Sequence, residues 1–392
     1  MAEGPLAGVT VIDLTHYIAG PYCTKLLAGM GAEVIKVERP GSGDATRSMG
    51  PFPDDIPDPE KSGTFLYLNT GKKSITLNLK SATAVRLLTR IVEDADVLVE
   101  NFEPGLMIDL GLGYETLSRV NPRLTMTSIS NFGQTGPYCD YRADEMTIQA
   151  MGGFMYLGGA PEREPLRLGF SAAQYMGGLA GFTGTMAALY HAEQTGVGQH
   201  VDISLMECVA ASHFQAVEQY VHTGVVQKRN RTMFVFPCKD GVVQLGMQPH
   251  HWPKLTQMLG MPELTDDPRF SNTMERRSHA EELEAYIFPW MLERTMVEVY
   301  ETGQALGLPV GYAATSKDLY EAAQYRARGF FVDIDHPRAG ELGYPGTPVI
   351  MGELPWHHGR APLLGEHNGE ILCGRLGYTQ QELTILRNRG VV

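Results

Sequence analysis

Apolar and polar positions along this chain fall into blocks, and the first block is the most regular. A β-branched run at Val9–Leu14 turns at Thr15–His16, helical spacing follows at Tyr22–Met30, and a second apolar run covers Glu33–Val37 before the chain leaves through Arg39–Asp44. That order predicts a β-α-β unit whose post-strand loops carry the small and polar residues with which open parallel sheets bind ligands. Further on, the apolar runs Ser74–Leu79, Val97–Glu100 and Leu124–Ile129 alternate with helical patterns at Ala82–Glu93 and Tyr114–Val120. Such alternation predicts an α/β fold with a mostly parallel sheet and helices on its faces. Pro51–Lys61, rich in Pro and Asp, reads as a surface excursion.

The second half is patterned differently. Leu168–Tyr190 carries no charged residue, but its polar residues and five glycines suit a membrane span poorly, so a buried helix with a small-residue face is expected. The composition shifts around Val226–Met233, where Gln227–Arg231 reads as a connection between lobes. Met233–Met247 has the look of a hairpin turning at Lys239-Asp240-Gly241. Helical spacing then dominates from Trp252 to Gly303, Pro309–Tyr312 marks another crossing, and Phe330–Ile334 and Pro345–Ile350 read as strands.

At 392 residues the chain is long enough for two domains or one α/β body with an inserted lobe. Its net charge of -13, without a long basic run, argues against a nucleic-acid surface. A body this acidic needs a local cationic pocket to hold an anion, and Arg39, Lys72, Lys73 and Arg142 are the candidates. Five scattered cysteines without a Cys-x-x-Cys pair make a disulfide framework or zinc site improbable. With no charged-then-apolar leader at Met1–Gly8, a cytoplasmic protein is expected.

Several local motifs fail on inspection. Asn69–Ser74 looks like a phosphate loop, but the glycine a Walker sequence needs five residues before Gly71 is Leu66. Lys72 alone reads more simply as a solvated surface lysine than as a phosphate ligand. Gly29-Met30-Gly31 follows a helix, so it reads as a helix end and not as a dinucleotide fingerprint. The pairs His250-His251 and His357-His358 have no acidic or cysteine partner at ligand spacing, which leaves no metal site.

The blocks Val11–Pro21, Gly31–Pro40, Asn69–Leu79, Glu100–Gly105, Gly133–Pro137, Thr195–Gln199, Arg328–Phe331 and Ala361–His367 together closely resemble the class III CoA-transferase family of formyl-CoA transferase, carnitine CoA-transferase and methylacyl-CoA racemase. The resemblance implies a large Rossmann-like CoA-binding domain from 1–222 and 322–392, a smaller α+β domain at 223–321, and two protomers threaded as interlocked rings. It also implies coenzyme A or acyl-CoA as substrate, with no permanently bound cofactor. His16, Ile18, Ala19, Arg39, Lys72, Asn101 and Phe102 match the positions that would hold the nucleotide and pantetheine parts. In the transferase branch an Asp attacks the acyl-CoA thioester to give a mixed anhydride. The released thiolate then forms an enzyme–CoA thioester, which passes CoA to the acceptor acid. The racemase branch uses the same Asp with a His.

This chain departs from that pattern where the chemistry is done. The stretch that should carry the nucleophile reads Ala172-Ala173-Gln174-Tyr175, with Gln174 in the place of Asp. The racemase His is replaced by Asp144, next to Glu145. Asp109 stands where many relatives have an Arg, and Met233–Cys238 shows no glycine-rich lid. The first expectation is therefore the Asp-less subunit of a heteromeric CoA-transferase, such as those activating aryl-succinates, paired with a related chain that carries the Asp. A succinyl-CoA donor is expected by family analogy. One alternative is a self-sufficient transferase or racemase using Asp144 or Glu145, although Asp144 also reads as a helix cap and Glu145 as a first-turn acid. Another is a non-enzymatic CoA-ester sensor or scaffold.

Overall fold

The computed structural model describes residues 4–229, 235–246 and 248–392. Six strands make one sheet: β1 (Thr10–Asp13), β2 (Glu33–Glu38), β3 (Lys73–Thr76), β4 (Val97–Glu100), β5 (Thr125–Ser130) and β6 (His200–Ser204). The order across it is β3-β2-β1-β4-β5-β6, and every pairing is parallel. Strand order reverses between β1 and β4. The loops leaving those two strands therefore diverge and open a crevice at the carboxyl edge of the sheet.

Side chains alternate across each strand, so both faces of the sheet are apolar. Val11, Val34, Val97 and Val99 pack with Ala19, Cys23 and Leu27 of the helix Ala19–Gly29 and with Ala173 and Leu189 of the helix Ala172–Thr195. Ile12, Ile35, Ile75 and Leu98 pack with Leu87, Leu88 and Ile91 of the helix Ala82–Val92 and with Leu383 and Leu386 of the helix Gln380–Asn388. Strand β6 was not anticipated. Its His200 and Asp202 interrupt the apolar run, as suits an edge strand with one partner.

The uncharged stretch at Leu168–Tyr190 becomes the 24-residue helix Ala172–Thr195, which ends at Gly196 in a left-handed conformation. Its glycines permit close packing. A Cβ on Gly178 would lie 2.6 Å from the Ala19 carbonyl oxygen, and one on Gly181 would lie 2.8 Å from Ile129. The expectation of a buried helix holds for that face only, because Leu179 and Tyr190 on the other are exposed. No helix among the described residues is long and apolar enough to cross a membrane.

The chain divides into two compact units, Met1–Arg229 with Arg328–Val392, and Asn230–Ala327. The smaller unit has an antiparallel sheet of β7 (Val235–Pro237), β8 (Val242–Leu245) and β9 (Val310–Tyr312). Met233, Phe234 and Met247 of the expected hairpin, and Asn230 to Met233 of the expected connection, lie outside the described residues. The helical stretch from Trp252 breaks into Trp252–Leu259, Thr273–Ser278, Ala280–Leu292 and Met296–Ala305. Gly260 ends the first in a left-handed conformation, and the side chains of Asn272 and Thr295 cap the starts of the second and the last.

In the larger unit, β10 (Phe331–His336) pairs antiparallel with β11 (Gly340–Pro345). The strand expected at Pro345–Ile350 is thus misplaced, sharing only Pro345 with β11. Pro348 lacks the N–H a ladder needs, and Val349 and Ile350 are exposed. The tail returns to edge strand β3, where Asn368 accepts the Thr76 N–H and donates to its hydroxyl, both at 2.8 Å.

Candidate functional site

Beneath the carboxyl ends of β1 and β2 lies a buried ionic network. Asp13, at the end of β1, accepts hydrogen bonds from the Thr15 N–H (2.9 Å), the Thr24 hydroxyl (2.8 Å) and the Lys72 ammonium (2.9 Å). Burial alone would raise its pKa, but Lys36 and Lys72 beside it hold the carboxyl far below the usual carboxylate range. Lys36 in turn donates to the Thr15 carbonyl at 2.8 Å and pairs with Asp44 at 2.8 Å. Arg47 closes the network with a two-bond fork onto Glu38, at 2.7 and 2.9 Å.

The network corrects the expectation for Lys72. The side chain is buried, and its ammonium is shared among Asp13, the Pro21 carbonyl, the Thr24 hydroxyl and Asn69 at 2.7–3.0 Å. Burial pulls its pKa down to about 8, with Asp13 opposing. An ammonium with four acceptors at hydrogen-bonding distance has no proton left for a phosphate, and the residue is not a solvated surface lysine either. Lys73 faces Glu33 and Glu370, both at 2.5 Å. Arg39 is exposed at the end of β2, near enough to help lower the pKa of His16, where burial is the largest cause.

The loop after β1 is pinned by the loop after β4. The His16 N–H donates to the Asn101 side-chain oxygen at 2.8 Å, and the Asn101 amide donates back to the His16 carbonyl at 2.7 Å. Asn101 therefore serves the loop backbone with both of its side-chain atoms. Tyr17 follows in a left-handed conformation (φ 65°), unusual for a bulky residue, with its ring exposed. Phe102 is fixed through its N–H, which donates to the Glu100 carboxylate at 2.8 Å. Burial raises the pKa of Glu100.

Above these loops is a cavity of about 600 Å³. One wall is Tyr17, Ile18 and Ala19 after β1 with Asn101 to Pro104 after β4. The floor is Ile129 to Asn131 at the end of β5, with Leu205. The far wall is the segment Cys139 to Glu145 together with Ser171 and Gln174. The structure thus brings together Ile18, Ala19, Asn101, Phe102, Arg142, Asp144, Glu145 and Gln174 among the residues singled out from sequence, with His16 tied behind them. Lys72 and Asp109 do not line the cavity, and neither does Arg39. Tyr17, Cys139, Asp140 and Tyr141 line it but were not singled out. The aromatic stacking of Tyr138 on Tyr141 (ring centroids 5.1 Å apart) has no signature in spacing.

Both acidic candidates are engaged. Asp144 caps the helix Glu145–Met151, accepting the Thr147 N–H at 2.8 Å and its hydroxyl at 2.7 Å, and those bonds lower its pKa. Glu145 anchors the start of the helix Ala172–Thr195. Its two oxygens accept the N–H groups of Ala173 (2.9 Å) and Gln174 (3.2 Å), and the Gln149 amide adds a bond at 2.7 Å. A carboxylate at a helix N-terminus satisfies donors that would otherwise be free and complements the positive end of the dipole. Among the described residues, the only cation lining the cavity is Arg142, which is exposed and pairs with Glu103 at 3.2 Å. Glu103, Asp140, Asp144 and Glu145 make the walls acidic.

The chain has clear relatives among known proteins. The model for CoA-transferase family III matches residues 6–368. The chain is 34% identical to the succinyl-CoA–D-citramalate CoA-transferase of Chloroflexus aurantiacus, covering 99% of this chain and 98% of that one. It is also 34% identical to the beta subunit of succinyl-CoA–L-malate CoA-transferase from the same organism, covering 99% and 98%. The crystal structure of a CAIB/BAIF family protein from Brucella suis superposes with a TM-score of 0.86 at 31% identity, covering 95% of this chain and 100% of that one. With the match running through nearly every element described above, the chain belongs to CoA-transferase family III.

Proposed function

We propose that this chain is the subunit without a catalytic Asp in a heteromeric transferase that moves CoA between an acyl-CoA, succinyl-CoA among the candidates, and a carboxylic acid. The observation that carries the reading is Gln174, which lines the cavity in the first turn of the helix Ala172–Thr195 where the family resemblance expects the nucleophile. An amide has no carboxylate oxygen with which to form the anhydride, but its NH2 can donate a hydrogen bond to a thioester carbonyl. In this reading the partner's Asp attacks the thioester carbon and expels CoA thiolate. The thiolate then displaces the donor acid to leave CoA on the partner's carboxyl, and the acceptor acid takes it by the same two steps in reverse. The cavity of this chain holds and orients a CoA ester. The partner would be a related chain of similar size, interlocked with this one in the cytoplasm. Exposed apolar side chains on two helices of the larger unit, Leu179, Tyr190, Phe214, Val217, Tyr220 and Val221, support such a contact. The relative named as a beta subunit supports it too.

The test is CoA transfer from succinyl-CoA by the purified chain. Alone it is expected to give no turnover and no covalent adduct. Gln174→Asp in the same chain is expected to gain the mass of CoA as a thioester when treated with an acyl-CoA. Robust turnover by the unaltered lone chain would sink the proposal. If Glu145→Gln abolished that turnover, the nucleophile would pass to Glu145.

A further inference from the structure

The smaller unit has a cavity of its own, of about 530 Å³, whose walls include Trp252, Pro253, Asn272, Thr273, Met274 and Arg276. Arg276 is 3% exposed. Its guanidinium donates to the Phe270 carbonyl at 2.6 Å and to the Thr273 hydroxyl at 3.3 Å, and lies 5.0 Å from the centre of the Trp252 ring. No carboxylate among the described residues pairs with it, and none lines the cavity. Buried Lys36, Lys72 and Arg47 each face a carboxylate, and Arg269, in the same unit and far more exposed, has two. Buried Lys25 also lacks one among the described residues, but burial pulls its pKa down to about 7, so it can shed its charge as a guanidinium cannot. Burial lowers the pKa of Arg276, but a guanidinium starts high enough to stay charged. A buried charge without a counter-ion is unfavourable unless something supplies one.

We propose that this cavity is a second anion site that takes an organic carboxylate, with its charge on Arg276 and its apolar body against Trp252, Pro253 and Met274. A single guanidinium fork matches one carboxylate. Phosphate would need several further donors, and two of the three lining hydroxyls are engaged elsewhere, Thr265 with Thr256 at 2.6 Å and Ser271 with the Pro268 carbonyl at 3.0 Å, which leaves only that of Thr273. The site does not rest on the transferase reading, and it shares no lining residue with the larger unit's cavity.

Calorimetric titration of the full chain tests it, with benzoate as the probe, benzamide as its uncharged counterpart, and inorganic phosphate in a separate arm. Met274 is 78% exposed on the cavity wall, so changing it leaves the fold intact. Met274→Glu is expected to weaken benzoate binding about threefold and Met274→Lys to tighten it by a similar factor, as a partly screened charge a few ångströms away should. Arg276→Lys, checked for folding by circular dichroism, keeps the charge, loses the fork and is expected to weaken benzoate further. Benzamide should respond to none of these changes. Three outcomes would overturn the proposal: no benzoate binding, benzoate binding indifferent to the charge at position 274, or phosphate binding in place of benzoate.

Discussion

Lys72 and Gln174 differ, at the scale of single residues, in how much of their placement the sequence carries. Lys72 reads as a surface charge or a phosphate ligand because its neighbours in sequence are polar, but burial is decided by Asp13, 59 positions away, which takes its ammonium at 2.9 Å. Replacing Lys72 by Met removes one of the two cations that hold Asp13 and is expected to cost about 3–5 kcal/mol in urea unfolding, the range for breaking a buried pair on one side. The sign with pH follows from the lowered Asp13 value. The folded form keeps Asp13 ionised where the unfolded chain would protonate it. The stability it contributes is therefore complete above the ordinary carboxylate range and lost as pH falls below it. Lys72→Met should lose that acid resistance earlier, read as an unfolding midpoint at higher pH. Gln174 was legible for the opposite reason: its position is set by local motif and helix start, which sequence carries directly.

At the scale of elements, the strands were legible wherever both faces are covered, because β1, β2 and β4 then read as mainly apolar runs, β2 broken inside only by the buried Lys36. Edge strand β6 has polar residues on its open side and escaped notice. Helix Tyr114–Val120 falls where its spacing put it, whereas the first helix starts at Ala19, earlier than its apolar spacing suggested, with Pro21 accommodated in the first turn. The helix Ala172–Thr195 depends on glycine for its depth against the helix Ala19–Gly29. Gly178→Ala puts a methyl group 2.6 Å from the Ala19 carbonyl oxygen, an atom that cannot rotate away. It is expected to destabilise the protein by about 1–3 kcal/mol in thermal or urea unfolding, the usual range for overpacking. Gly196→Ala, at an open left-handed helix end, strains only its own backbone and should cost about 1 kcal/mol.

For the whole molecule, the net charge is -13, and among the described residues Arg142 is the only cation lining the cavity. The heteromer proposed above is tested at this scale. Native mass spectrometry of the protein from its own cells is expected to show a second chain of similar size, and an assembly of this chain alone would count against the heteromer. The family, the α/β class and most of the near wall were legible from motifs. In the far wall Arg142, Asp144, Glu145 and Gln174 were legible too, but Cys139, Asp140 and Tyr141 were not, because they come to line the same cavity as Gln174 only through folding. The two walls also differ in how they are held. The Asn101 fork ties the β1 and β4 loops to each other, so a change of shape in one is expected to be carried into the other. Replacing residues within 139–142 is therefore expected to reshape the cavity locally, whereas replacing Asn101 is expected to disturb both loops at once.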